Sequence, residues 1–127
     1  MSENPVRDAI QEAIRDHEII LFMKGTPEQP MCGFSARTAA ALEALGTEYA
    51  AVDILPDPRI RQELSQISNW PTIPQLFVKG ELIGGADIVA EMYESGELAE
   101  VLGVERQAGA APEGDANAPL TVENRLN

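Results

Sequence analysis

Cysteine, lysine and aromatic residues are scarce in this chain of 127 residues. One cysteine, Cys32, cannot form an internal disulfide framework. Hydrophobic residues make up 44%, an ordinary globular share, so a buried core needs neither disulfides nor a structural zinc. No apolar run approaches the roughly 20 residues of a membrane span. The start, MSENPVRDAI, lacks an apolar signal region and carries acids where an organellar transit peptide avoids them. These absences predict a soluble protein, off the membrane, in a reducing cytoplasm. Cations are scarce as well: nine lysines and arginines stand against 21 acids, a formal net charge of −12. A field of that sign repels phosphate backbones, so nucleic acid is not expected as a partner. It also makes each cation informative. The only lysines are Lys24 and Lys79, and Lys24 lies close to Cys32 in the chain.

What is present organises into one compact domain. Asn4-Pro5 reads as a capping side chain followed by the residue whose missing N–H costs nothing at a helix start. Val6, Ile10, Ala13 and Ile14 then mark one apolar face of a helix ending near His17. Glu18–Met23 is a short apolar run that suits a buried strand. Two prolines and a glycine make Lys24–Met31 a loop. A helix follows from Gly33, carrying Ala36, Ala39, Ala40 and Leu42, with Gly46 as its stop. Thr47–Ile54 alternates as a strand, with Ala50, Val52 and Ile54 on one face. Asp57-Pro58 opens a helix bearing Ile60, Leu64 and Ile67, and Asn69–Pro74 is an irregular turn. Gln75–Lys79 and Glu81–Ile83 form a hairpin through Lys79-Gly80. Asp87 is expected to cap a helix carrying Ile88, Met92 and Tyr93, and a last helical stretch covers Glu97–Leu102. The domain thus spans 1–103, and the remainder, 104–127, turns to Ala, Gly, Pro and polar residues and reads as a disordered tail.

The β-α-β opening implies a parallel pair with a right-handed crossover, and the hairpin adds antiparallel strands. A mixed four-stranded α/β sheet with helices on both faces satisfies this order.

Cys32 falls where the loop meets a helix. A helix start presents unpaired N–H groups and partial positive charge, both of which favour a thiolate, and Lys24 adds to the effect. By composition alone a free cysteine is more often a small buried hydrophobe than a nucleophile. Its position at the junction favours the nucleophile. Trp70 reads equally as a packing residue at a loop base or as an interface residue. Phe34 reads as helix packing or as a contact beside the thiol. His17 reads as a helix-end residue favoured by the dipole.

Four strings in order, Lys24-Gly25-Thr26-Pro27, Cys32-Gly33-Phe34-Ser35, Trp70-Pro71-Thr72-Ile73-Pro74 and Gly84-Gly85 with Asp87, resemble those of the monothiol glutaredoxins of the CGFS type. The resemblance runs from about Val6 to Leu102. It implies a thioredoxin-like fold, with Pro74 as a cis-proline facing the cysteine. It also implies a glutathione site on Lys24, Arg61, Ile73, Ala86 and Asp87. Lys24 and Arg61 would meet the tripeptide's carboxylates, though Arg59 beside Arg61 is an alternative partner. Ile73 would offer its backbone in strand-like pairing. The Ala86 backbone and the Asp87 side chain would grip the γ-glutamyl end. Family members often carry a cysteine where this chain has Ala86, so no internal disulfide partner exists for Cys32.

Two mechanisms use such a site. A thiolate can attack a glutathione mixed disulfide, with a second glutathione releasing it, which would make the protein a weak glutathione-dependent disulfide oxidoreductase. Alternatively it ligates a 2Fe-2S cluster, which wants four thiolates. Two chains and two glutathiones supply them in a homodimer. The resemblance implies the cluster carrier, with BolA-like proteins and apo iron–sulfur client proteins as partners. A third reading is an adaptor with an incidental thiol, which leaves Lys24, Arg61 and the loop prolines without a joint explanation.

Overall fold

The computed structural model describes residues 4–103, and the expected tail over 104–127 lies outside them. Nine elements follow in order: α1 (Pro5–Asp16), β1 (Ile19–Met23), α2 (Gly33–Ala44), β2 (Ala50–Asp53), α3 (Pro58–Ser68), β3 (Gln75–Val78), β4 (Glu81–Gly84), α4 (Ala86–Ser95) and α5 (Glu97–Leu102). The strands form one sheet in the order β2-β1-β3-β4. β1 runs parallel to β2 and antiparallel to β3, and β4 returns antiparallel to β3. This is the mixed four-stranded sheet of a thioredoxin-like α/β fold. Among the described residues, no helix is long and apolar enough to cross a membrane.

Helix starts follow local chemistry. The Asn4 side chain accepts the Arg7 N–H at 3.0 Å, and Asp57 Oδ1 accepts the Arg59 N–H at 3.0 Å, each just before a proline in the first turn. The β3–β4 turn places both Lys79 (φ 53°) and Gly80 (φ 83°) at positive φ, the type I′ geometry whose twist matches a hairpin.

Every residue of β1 is buried, because helices cover both faces of the sheet. Ile19, Leu21 and Met23 pack with Leu76 and Val78 beneath Leu42 of α2, Val89 of α4 and Leu98 of α5. On the other face, Ile20 and Phe22 pack with Phe77 beneath Ile10 and Ile14 of α1 and Leu64 of α3. Phe22 and Phe77 meet edge to face, 5.8 Å between ring centroids.

Two expectations need correction. The strand expected over Thr47–Ile54 is ordered only over Ala50–Asp53, because its ladder begins where Ala50 finds Ile20 on β1. Tyr49 instead turns into the core beneath α2 and α5, and its hydroxyl donates to Glu43 at 3.1 Å. Asp87 does not cap α4. Gly85 holds the cap position, its carbonyl accepting the Val89 N–H at 3.0 Å, so Asp87 falls inside the first turn. Its carboxylate makes no cap bond, and the residue is exposed.

Candidate functional site

β1 ends at the fully buried Met23, and Lys24 leaves the sheet into a tightly folded loop. The Gly25 N–H donates to Asp53 Oδ1 at 2.9 Å, which ties the loop to the end of β2. Thr26 and Gln29 exchange backbone bonds of 3.2 and 3.0 Å, and the Met31 N–H returns to the Lys24 carbonyl at 2.9 Å. The closure brings Lys24 back beside Cys32.

Cys32 occupies the N-cap position of α2 in an extended conformation, and its carbonyl accepts the Ala36 N–H at 2.9 Å. The thiol is partly exposed. The Ser35 backbone N–H holds it below its ordinary value; partial burial opposes this, while the Phe34 N–H, the Lys24 charge and the Ser35 hydroxyl reinforce it. The buried Ser35 hydroxyl also accepts the Lys24 N–H at 3.1 Å, joining the strand end to the helix start. Because the thiolate is the reactive form, alkylation of Cys32 should reach half its plateau rate at lower pH than a free thiol does. Ser35→Ala removes one reinforcing bond and should move that midpoint upward. A rate–pH profile with iodoacetamide checks both. A wild-type midpoint at or above that of free cysteine contradicts the account.

Beside the helix start lies a groove of about 310 Å³. Phe34 of α2 walls one side, and Ile73 and Pro74, joined by a cis peptide, line it from the turn before β3. Lys24 and Arg61 bring two cations, while Ala86 and Asp87 border it at the start of α4. Lys24 and Arg61 also line a neighbouring hollow that Ala86 and Asp87 do not reach, so the cations stand toward one end. Cys32 itself is not among the lining residues; Phe34 and Lys24 connect the groove to it.

Five residues expected to share a site therefore do share one groove. The two arginines are held differently. Arg59 is clasped by Asp57 through bonds of 3.0 and 2.8 Å, and lies off this groove. Among the described residues, Arg61 keeps only a long approach, 3.5 Å, to the Pro71 carbonyl. Phe34 is 51% exposed, with the Arg37 guanidinium 5.4 Å from its ring centroid, so it is not packing filler. Trp70 lines the groove, and its buried indole N–H has no partner among the described residues. His17 caps the end of α1, away from the site. Among the described residues, no three His, Cys, Asp or Glu side chains gather to hold a metal.

Sequence reasoning overlooked three supporting residues. Ser35 and Asp53 act through hydrogen bonds to loop N–H groups, and neither announces that in isolation. Gln75 is wholly buried, with its amide N–H₂ donating to the Trp70 and Thr72 carbonyls at 3.0 and 3.1 Å. Its signal was a polar residue opening the otherwise apolar strand QLFV.

Fold and site together define a thioredoxin-fold thiol protein, with one ionisable sulfur at a helix start beside a cis-proline groove. The family model described as Glutaredoxin matches residues 19–83. A probable monothiol glutaredoxin of Legionella pneumophila, GrlA, is 61% identical over 83 residues, covering 65% of this chain and 93% of that protein. The solution structure of a monomeric truncated mutant of Trypanosoma brucei 1-C-Grx1 shares 44% identity at a TM-score of 0.72, covering 83% of this chain and 98% of that one. The crystal structure of a buckwheat glutaredoxin–glutathione complex shares 25% identity at a TM-score of 0.69, covering 77% of this chain and 87% of that one. The chain belongs to the glutaredoxin family, as a monothiol glutaredoxin.

Proposed function

We propose that this glutaredoxin binds glutathione in the groove beside Cys32 and carries a 2Fe-2S cluster between two protomers. The observation behind this reading is a partly exposed, acidified thiol next to a groove that offers two cations and one carboxylate. Glutathione presents the complement: two carboxylates, one ammonium and a thiol. Lys24 and Arg61 receive the glycine carboxylate, and the Ile73 backbone pairs with the central peptide. The Ala86 backbone and Asp87 side chain hold the γ-glutamyl carboxylate and ammonium. The tripeptide's sulfur then lies near Cys32. The buckwheat glutaredoxin forms a complex with glutathione, which supports this tripeptide as the ligand.

A 2Fe-2S cluster is cargo here, and the donor set decides how it is held. Four thiolates are wanted, and the chain has one cysteine. Two Cys32 and two glutathiones close the shell in a homodimer. A BolA-like protein replaces one protomer in a mixed pair, and apo iron–sulfur proteins receive the cluster. A cluster half-held by a dissociable tripeptide suits transfer.

Anaerobic reconstitution with iron and sulfide, with and without glutathione, tests the reading. A coloured species that forms only with glutathione supports it. A colourless protein that rapidly reduces glutathione mixed disulfides means that the thiol works as a nucleophile instead. Within the groove, Arg61→Gln should weaken glutathione about tenfold, the effect of losing one charge-assisted hydrogen bond, while Arg59→Gln changes it little. Calorimetric titration of the two variants checks this, and equal losses would contradict the assignment.

A further inference from the structure

We infer that Gln75 is a positioning residue for the glutathione groove: its buried amide fixes the Trp70–Pro74 turn that presents the Ile73 backbone to the ligand. The inference rests on the glutathione reading above and adds a residue to it. Gln75 is 0% exposed at the first position of β3, where its neighbours in the strand are Leu76, Phe77 and Val78. A polar side chain in such surroundings needs partners. Both amide hydrogens are used, at 3.0 Å to the Trp70 carbonyl and 3.1 Å to the Thr72 carbonyl. Only the nitrogen can donate, so these two acceptors also fix which way the amide points. Its Oε1 is left without a partner among the described residues. The amide is therefore retained for its two donations, since an apolar side chain of equal length would bury at less cost.

Those donations act on a turn in which Ile73 and Pro74 are buried, and whose other hydrogen bonds among the described residues are the Trp70 N–H to Ser68 Oγ at 3.2 Å and the long Arg61 approach to the Pro71 carbonyl. Pro71 and Thr72 are exposed, and residues 70–74 belong to no helix or strand. Trp70, Thr72, Ile73 and Pro74 all line the groove. Gln75 does not line it, so it acts through the turn and not by touching the ligand. With Trp70 O and Thr72 O both turned toward Gln75, the peptide at Ile73 is held in one orientation. A ligand that pairs with main chain at Ile73 depends on that orientation more than on any side chain there. Cys32 is built separately, by the Ser35 and Phe34 N–H groups at the start of α2. The two halves of the site should therefore respond independently.

The test substitutes Gln75→Met, which keeps length and removes both donors, and Gln75→Asn, which keeps an amide one methylene short. Glutathione binding is measured by calorimetry well below each variant's melting temperature, together with the pH profile of Cys32 alkylation and the free-protein amide resonances of Thr72 and Ile73. The expected result is glutathione affinity reduced roughly tenfold or more, the loss of about two hydrogen bonds' worth of ordering. The Thr72 and Ile73 resonances move and the Cys32 profile does not. If Gln75→Met does not fold, the same readings on Gln75→Asn decide. A folded variant with wild-type affinity and unmoved resonances overturns the inference, as does a loss of affinity accompanied by an equal change in the Cys32 profile. Should the wild-type chain not bind glutathione, the functional reading falls, while the Thr72 and Ile73 resonances still decide whether Gln75 positions the turn.

Discussion

Cys32→Ser is expected to abolish cluster assembly while leaving the fold at least as stable. The hydroxyl does not ionise in the accessible pH range and is a poor ligand for iron, so each protomer loses its only contribution to the shell. The same change has little structural effect. Cys32 is partly exposed, and its sulfur makes no bond of cap geometry to the Ser35 and Phe34 N–H groups that favour its ionised form. Serine is a preferred N-cap residue whose oxygen accepts an N–H of the first turn, so stability should rise by about 0.5 kcal/mol. The prediction is therefore a split: no iron–sulfur absorption after reconstitution, and a melting temperature unchanged or slightly higher. Retained colour would mean that the cluster is held elsewhere in the chain.

Gly25→Ala should produce a large loss of stability for a single added methyl group. Gly25 lies at φ +88°, and a Cβ there would fall 2.5 Å from the Gln29 carbonyl oxygen and 2.7 Å from both the Met31 nitrogen and Cγ. Two of those three atoms are backbone, within a loop closed by its own hydrogen bonds, so the neighbour cannot simply swing away. Backbone strain alone costs about 1–2 kcal/mol. With the clash we expect roughly 2–4 kcal/mol in all, a fall in melting temperature on the order of 10–20 °C. Gly46→Ala is the control. Gly46 also has positive φ, +72°, yet a Cβ there meets nothing within 4 Å, so only about 1 kcal/mol should be lost. Thermal unfolding of the two variants tests the comparison, and equal losses would mean that the Lys24–Met31 loop is looser than described. Because this loop also sets Lys24 against Cys32, Gly25→Ala should raise the alkylation midpoint of the thiol as well.

Much of the architecture could be read from local chemistry. Asn4-Pro5 and Asp57-Pro58 mark helix starts because the capping oxygen and the proline act within one turn. The Lys79-Gly80 turn could be read for the same reason. Features set by pairing across the molecule could not. β2 starts at Ala50 because that is where β1 offers a partner, a fact absent from the alternation of Thr47–Ile54. The cap of α4 went to Gly85, which carries no capping side chain, so Asp87 looked like the better candidate. Lys24, Arg61, Ile73, Ala86 and Asp87 are spread over 64 positions, from 24 to 87, and no spacing rule joins them. Resemblance named them, and the fold gathers them. That Asp57 clasps Arg59 while Arg61 lines the groove is visible only in the folded chain. Gln75 shows the limit most clearly, since its function lies in two carbonyls that only the folded turn brings to it.

The most direct measurement is the native mass of the reconstituted species. The account predicts one dominant complex holding two chains, one 2Fe-2S cluster and two glutathiones, which falls to apo monomer when glutathione is dialysed away. A coloured monomer, or a dimer whose mass leaves no room for the two tripeptides, would contradict it.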